Sequence, residues 1–157
     1  SSYRKNDNHI NGMTLGAFTG YFRDRDSLKN ITHPYNEYKT HVVLGVIYDY
    51  VSDIDERKSY TIEQLPDIIS VIKNFKFFVQ EKWKIAIDRP GSGNTKNIGS
   101  VSSINDLING NGPFAELGED IFNDYWMYYL TTDMARMAEL PKPYYRNLSE
   151  YKQFKNI

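Results

Sequence analysis

The chain has 157 residues, a length that fits one domain with a real hydrophobic core. Hydrophobic residues make up 40% and aromatic residues 15%, which excludes a disordered chain; the 13 tyrosines indicate a tyrosine-rich core or a tyrosine-rich contact surface. The net charge of −1 excludes a uniformly basic protein that coats nucleic acid, so any such binding has to come from focused contacts.

The chain has no cysteine, which excludes disulfides, thiolate zinc sites and cysteine nucleophiles. No run approaches the roughly 18 apolar residues of a membrane span, and the polar residues 1–11 do not resemble a signal peptide. We therefore expect a cytoplasmic protein with no membrane partner. Because the first residue is Ser1 rather than methionine, we also expect a fragment or a processed product.

The first half of the chain predicts one strand and one long helix. Residues 13–22 are rich in β-branched and aromatic side chains, so they predict a strand or a bent hairpin arm with a bulge at a glycine. After Pro34, apolar residues recur at spacings of three and four as far as Val51, which predicts a long amphipathic helix. His41 lies on this helix, and we expect its role to be structural.

The second half predicts strands followed by helices. Apolar residues occupy odd positions over residues 75–87, which predicts one long strand or a hairpin that turns near residues 80–82. Residues 104–108 predict a short helix, and residues 119–130 a helix with acidic residues in its first turn. The sum is a mixed α/β protein with helices packed on a small sheet.

A glycine- and asparagine-rich stretch, residues 89–100, lies between the predicted strand and the short helix. Glycine allows a backbone to approach a partner closely, so the stretch is either a simple turn or a recognition loop. It is not a nucleotide-phosphate loop. Gly91-x-Gly93 lacks the third glycine of the dinucleotide motif, and Lys96 lacks the flanking residues of a Walker lysine.

The residues alone contain no convincing catalytic centre. Pro66-Asp67 followed by Gln80-x-Lys82 has the order of a metal-dependent nuclease site, but glutamine is a poorer ligand for Mg²⁺ than a carboxylate. The three histidines show no metal-ligand spacing. We therefore assign no catalytic and no metal-binding residue within this chain.

Several motifs match a known family in the same order along the chain. They are residues 14–19 (Thr-Leu-Gly-x-x-Thr), 29–31 (Lys-Asn-Ile), 80–86 (Gln-x-Lys-Trp-x-Ile-Ala), 91–100 (Gly-Ser-Gly-Asn-Thr-x-Asn-Ile-Gly-Ser), 124–126 (Asp-Tyr-Trp) and 149–151 (Ser-Glu-Tyr). In these motifs the chain resembles the EcoRV-like type II restriction endonucleases. The resemblance covers residues 1–151 and is weakest across 52–74 and 131–147.

The resemblance implies the PD-(D/E)xK fold, a mixed β-sheet flanked by helices and here incomplete at its N-terminus. It implies a homodimer that binds double-stranded DNA and, with Mg²⁺, cleaves a GATATC-like six-base-pair palindrome to blunt ends. Residues 1–157 would be the C-terminal part of a single endonuclease domain with its recognition loop at 89–100. The family's two metal-binding aspartates and catalytic lysine would fall before Ser1, so this chain alone is expected to be inactive.

The resemblance also assigns the site residues. Gly91, Gly93 and Asn94 would read base edges with Thr95 beside them, which agrees with the donor and acceptor that asparagine offers to adenine. Contacts to the DNA backbone, or support of the loop, would come from Ser1, Ser2, Thr19, Lys29, Ser92, Asn97 and Arg136.

Two residues depart from the family pattern, and two rival interpretations stay open. Gly20 replaces a serine near the cleaved strand, and Asp133 replaces a hydroxyl residue that meets phosphate. The first rival is a non-catalytic, sequence-specific DNA-binding module. The second is an α/β protein whose glycine-rich stretch is only a turn, with no role in DNA binding.

Overall fold

The computed structural model describes residues 2–24, 32–52, 54–55, 57–91 and 96–157, and its elements confirm the predicted α/β class. The strands are β1 (Ser2–Tyr3), β2 (Thr14–Ala17), β3 (Val42–Tyr50), β4 (Ile72–Glu81), β5 (Ala86–Pro90) and β6 (Asn97–Ser100). The helices are α1 (Lys82–Ile85), α2 (Ile104–Asn109), α3 (Glu119–Tyr128), α4 (Thr132–Met137) and α5 (Leu148–Lys155). None of these helices is long and apolar enough to cross a bilayer.

The described strands form two three-stranded sheets rather than the single small sheet that the sequence predicted. The first has the order β1-β3-β4, with β1 parallel and β4 antiparallel to β3. The second has the order β2-β6-β5 and is antiparallel throughout. Helix α1 is a single turn that carries the chain from β4 into β5, so it joins the two sheets.

An aromatic cluster around α3 forms the centre of the core, where Phe122, Tyr125 and Trp126 are fully buried. The buried tyrosine hydroxyls donate to carbonyl oxygens: Tyr125 to Asp88 at 2.5 Å and Tyr145 to Tyr125 at 2.6 Å. These bonds satisfy the polar end of each ring, which would otherwise make burial unfavourable. Five of the 13 tyrosines belong to the buried core, namely Tyr35, Tyr125, Tyr129, Tyr145 and Tyr151.

The predicted long helix after Pro34 is wrong. The structure has a short 3-10 turn at Tyr35–Glu37 and then strand β3. The apolar residues come in adjacent pairs four positions apart, a pattern that fits a helix and also a strand with two apolar faces. The β-branched residues Val42, Val43 and Val46 favour the strand, and β1 and β4 supply the backbone partners that the local sequence does not reveal.

Of the other predicted strands and helices, some are confirmed and some are only partly correct. The alternation over residues 75–87 is confirmed within β4, but the chain then makes the α1 turn and no hairpin. Strand β2 is confirmed, with an irregular register around Gly16 at φ 101°, whereas Thr19–Arg23 is a wide helical turn. Helices α2 and α3 are confirmed.

Helices α4 and α5 were missed. The sequence does carry their N-cap signals, since the Thr131 side chain accepts from the Met134 N–H and the Asn147 side chain from the Glu150 N–H.

Candidate nucleic-acid interface

Residues 89–91 and 97–100 of the glycine-rich stretch lie on the two arms of the β5–β6 hairpin. Pro90 lies opposite Ile98, and the Gly91 N–H donates to the Asn97 carbonyl at 3.0 Å, so the ladder closes directly below the tip. The tip itself, residues 92–95, lies outside the described residues. The base-reading or supporting roles of Ser92, Gly93, Asn94 and Thr95 therefore stay predictions.

The two arms of the hairpin approach each other closely below the tip. A β-carbon on Gly91 would lie 2.7 Å from the Gly99 Cα and 3.1 Å from the Met13 carbonyl oxygen. A β-carbon on Gly99 would lie 2.8 Å from the Ile87 Cδ1 and 2.9 Å from the Gly91 Cα, a backbone atom that cannot rotate aside. Both positions therefore need glycine. Because the Gly91 N–H is already bonded to Asn97, the Gly91 carbonyl is the backbone group left for the predicted contact with a base edge.

Helices α3 and α5 both donate hydrogen bonds to Asp88 of strand β5. The Tyr125 hydroxyl of α3 donates to the Asp88 carbonyl at 2.5 Å, and the Leu148 N–H at the start of α5 donates to the Asp88 carboxylate at 3.0 Å. Burial raises the pKa of Tyr125 well above its ordinary value, so the hydroxyl keeps its proton and remains a donor. Sequence reasoning missed Asp88, although an acidic residue at the end of an apolar strand beside the loop was a visible signal.

Strand β2 pairs with β6, the second arm of the hairpin. The Phe18 N–H donates to the Lys96 carbonyl at 2.9 Å, and Ala17 lies opposite Asn97. Thr19, the next residue along, is half-buried at the start of the wide helical turn. The structure thus brings the predicted supporting residues Thr19 and Asn97 to the same end of the second sheet.

Basic side chains flank the tip on both arms. Arg89 and Lys96 are exposed, and no carboxylate within the described residues forms an ion pair with either. Two cations beside a loop can bind successive phosphates and fix the position of the loop over a groove. Local charge here has the sign that DNA requires, even though the whole chain is slightly acidic.

The other predicted backbone contacts are dispersed. Ser2 is buried in β1, where its hydroxyl donates to the Asn11 carbonyl. Arg136 is exposed on α4 and forms an ion pair with Asp133 at 2.9 Å. Asp133, the acid that replaces the family's phosphate-contacting hydroxyl residue, therefore already has a cationic partner. Gly20 is half-buried in the wide helical turn. Ser1 and Lys29 lie outside the described residues.

Away from the hairpin, Lys82 lies in a cluster with Tyr21, Tyr35 and His41. Its ammonium lies 4.2 Å from the centre of the Tyr21 ring and 4.9 Å from that of Tyr35, and Tyr35 stacks on His41 with ring centres 3.6 Å apart. Burial lowers the pKa of Lys82 to about 8, and burial with the Lys82 charge lowers the pKa of His41 to about 4. The expected structural role of His41 fits this stack.

The nuclease-like order noted in the sequence does not assemble a site. The Gln80 amide donates to the Ile108 carbonyl at 2.6 Å, while Lys82 points to the tyrosine rings. Over the described ranges, no group of three or more His, Cys, Asp and Glu side chains is placed to hold a metal ion.

Comparison with known protein families identifies the family of this chain. The family described as "Restriction endonuclease EcoRV" matches residues 1–156. The chain belongs to that family. "Type II restriction enzyme EcoRV" of Escherichia coli is 36% identical over 156 residues, which are 98% of this chain and 60% of the relative. The chain thus spans 60% of the length of that EcoRV relative. The two sheets with their flanking helices accord with the restriction-endonuclease-like fold.

Proposed function

We propose that this chain supplies the DNA-reading part of a type II restriction endonuclease. The observation that carries the proposal is the β5–β6 hairpin, which is closed by the Gly91–Gly99 contact, held by Asp88 and flanked by Arg89 and Lys96. Residues 1–157 would be the C-terminal part of one endonuclease domain, with the recognition loop at 89–100. The whole enzyme would act in the cytoplasm, as a homodimer on a GATATC-like palindrome in double-stranded DNA.

The proposed reading chemistry divides between base edges and phosphates. Asn94 would donate to and accept from an adenine edge, and each such bidentate contact is worth about 1–3 kcal/mol of discrimination. Gly93 and the Gly91 carbonyl would bond neighbouring edges, with Thr95 beside them. Arg89 and Lys96 would neutralise phosphates, which fixes register without reading sequence.

Cleavage by the whole enzyme would depend on Mg²⁺, which carboxylate clusters bind well. Over the described ranges, no group of three or more His, Cys, Asp and Glu side chains is placed to hold that ion. The metal ligands and the catalytic lysine would come from residues outside the described part, so no hydrolytic step is assigned to this chain.

The experiment compares two variants in a duplex-binding assay. Fluorescence anisotropy would measure the affinity of the chain for a GATATC duplex and for a duplex of the same composition in scrambled order. Asn94→Ala should lose about 5- to 150-fold of the preference, as expected for 1–3 kcal/mol. The control Asn111→Ala, in an exposed turn after α2, should keep it. Equal binding of both duplexes by the unaltered chain, or an unchanged preference in Asn94→Ala, would overturn the proposal.

The rival function is a DNA-binding module that never cuts, and the missing acidic cluster among the described residues favours it over an enzyme complete in this chain. Incubating the chain with supercoiled plasmid and Mg²⁺ separates the possibilities. Cleavage by the chain alone would contradict the placement of the metal ligands elsewhere. Sequence-specific binding without cleavage fits the module and also the reading part of a larger enzyme; cleavage gained on adding the rest of the enzyme would decide for the latter.

A further inference from the structure

A cavity of about 320 Å³ is lined by helix α3 and by the segment that leads into strand β3. Glu119, Asn123 and Met127 line it from α3, and their spacing of four residues places them on one face of the helix. Tyr35 and His41 line it from the other segment. This volume is sufficient for a small organic ligand. None of the described residues of the β5–β6 hairpin lines the cavity, so it is separate from the DNA-reading site.

Two residues that line this cavity carry buried polar atoms without a partner in the described part of the chain. Tyr35 is only 5% exposed, and its hydroxyl forms no hydrogen bond there. The side-chain oxygen of Asn123 is buried and equally unpaired. An unpaired buried polar atom is unfavourable, so native proteins pair nearly all such atoms with protein, water or a ligand. Two of them around one cavity indicate a site for a polar ligand.

The charge of the cavity wall favours a cation. Glu119 is half-buried, and no lysine or arginine of the described residues forms an ion pair with its carboxylate. The His41 Nδ1 lies 4.0 Å from the Glu119 Oε1, but burial and the Lys82 charge lower the pKa of His41 to about 4, so the ring is neutral at pH 7. Among the described lining residues, Glu119 and Asp120 carry two negative charges against one positive charge on Lys39.

Aromatic rings line the rest of the cavity. Tyr21 stacks on Tyr35 with ring centres 4.9 Å apart, and Tyr38 meets the His41 ring edge-on at 5.5 Å. Lys82 lies over the Tyr21 and Tyr35 rings and does not itself line the cavity. Aromatic faces attract a planar, delocalised cation. A guanidinium has five N–H donors in one plane, which suit acceptors on two walls better than the three donors that an ammonium carries on one atom.

We propose that the cavity between α3 and the segment before β3 binds a small molecule with a guanidinium group. The guanidinium would donate to the Glu119 carboxylate, to the Asn123 side-chain oxygen and to the Tyr35 hydroxyl oxygen. Tyr21 and Tyr38 would contact its planar face. The proposal does not depend on the proposed DNA-reading role, because it uses no residue of the hairpin.

The test is an NMR titration of the isotope-labelled chain with ethylguanidinium, followed at the side-chain amide of Asn123. Propylammonium and tetramethylammonium serve as probes of equal charge, the first with donors on one atom and the second with no N–H group. Ethylguanidinium should shift the Asn123 signal saturably and bind about fivefold tighter than either, as expected for one additional hydrogen bond.

Three variants assign the binding to named groups. Glu119→Gln removes the charge and keeps the shape, and it should weaken the binding of ethylguanidinium about tenfold. Tyr35→Phe removes one hydroxyl and should weaken it about fivefold. The control Glu116→Gln, at an exposed acid that does not line the cavity, should leave the affinity unchanged. Circular dichroism verifies that each variant is folded, and Glu119→Gln, at a half-buried position, keeps the test valid if Tyr35→Phe unfolds.

Three outcomes would overturn the proposal. One is the absence of a saturable shift at Asn123. Another is equal binding of propylammonium or tetramethylammonium, which would show that the cavity selects charge and not a guanidinium. The third is a loss of affinity in Glu116→Gln as large as in Glu119→Gln, which would indicate attraction to the acidic surface in general. DNA takes no part in these measurements, so a failed DNA-reading role leaves their interpretation unchanged.

Discussion

Gly91 and Gly99 touch backbone to backbone below the tip of the β5–β6 hairpin, where a β-carbon on Gly91 would lie 2.7 Å from the Gly99 Cα. This contact fixes the separation of the two arms of the hairpin next to residues 92–95. A side chain at either position would have to push the arms apart, because backbone atoms cannot rotate aside as a flexible side chain can. The glycine pair thus determines how closely the two arms of the hairpin can pack.

Gly99→Ala should destabilise the fold by about 1–3 kcal/mol, the usual cost of forcing an extra carbon into a packed site. Urea unfolding followed by circular dichroism would measure it. Gly12→Ala is the matched control, since a β-carbon on exposed Gly12 meets no atom within 4 Å. Its effect should stay within about 0.5 kcal/mol. Equal effects of the two substitutions would contradict the importance of the close approach.

Tyr125→Phe should cost about 1–2 kcal/mol, because it removes the donor to the Asp88 carbonyl and leaves that oxygen without its partner. The ring and its packing are unchanged, so the loss reports the hydroxyl alone. Tyr128→Phe, on the exposed side of the same helix, should have almost no effect on the free energy of unfolding. A neutral Tyr125→Phe would show that the bond to β5 adds nothing to stability.

Asp88→Ala should lower stability by about 1 kcal/mol, because the first turn of α5 loses the acceptor for the Leu148 N–H. Asp88→Asn keeps a side-chain oxygen in place and should recover most of the loss. Thermal unfolding of both variants, with exposed Asp7→Ala as the control, would measure this order. If Asp88→Asn were as unstable as Asp88→Ala, the acceptor role would be wrong.

The pH dependence of stability should carry a signature of Lys82. Its pKa in the folded chain is about 8, below the ordinary 10.5, so the unfolded chain binds more protons between those values. The free energy of unfolding therefore rises with pH across this window. Buried tyrosines such as Tyr125 have raised pKa values and act oppositely near pH 10, so measurements should end at about pH 9.5.

Lys82→Met removes the titrating group and should abolish the rise between about pH 8 and pH 9.5. Lys142→Met, at an exposed position, should leave it unchanged. Urea unfolding at intervals of half a pH unit would compare the three proteins. A rise that persists in Lys82→Met would assign it to another group.

Local patterns were sufficient for some elements and insufficient for others. Helix α3 carries acids in its first turn and an apolar stripe, and both signals lie within the helix itself. Strand β3 was mistaken for a helix because its paired apolar residues satisfy both periodicities. Its backbone partners, β1 and β4, lie far away along the chain, so nothing local could decide between the two.

The same division holds for the candidate site. The sequence by itself determined the family and the position of the loop, because glycines and asparagines in a fixed order are legible without coordinates. The tertiary structure decided what supports that loop: Asp88 receives its bonds from Tyr125 and Leu148, which are 37 and 60 residues away. It also decided that the Gly91 N–H is occupied. These are contacts between segments distant in sequence, and only folding brings their atoms within bonding distance.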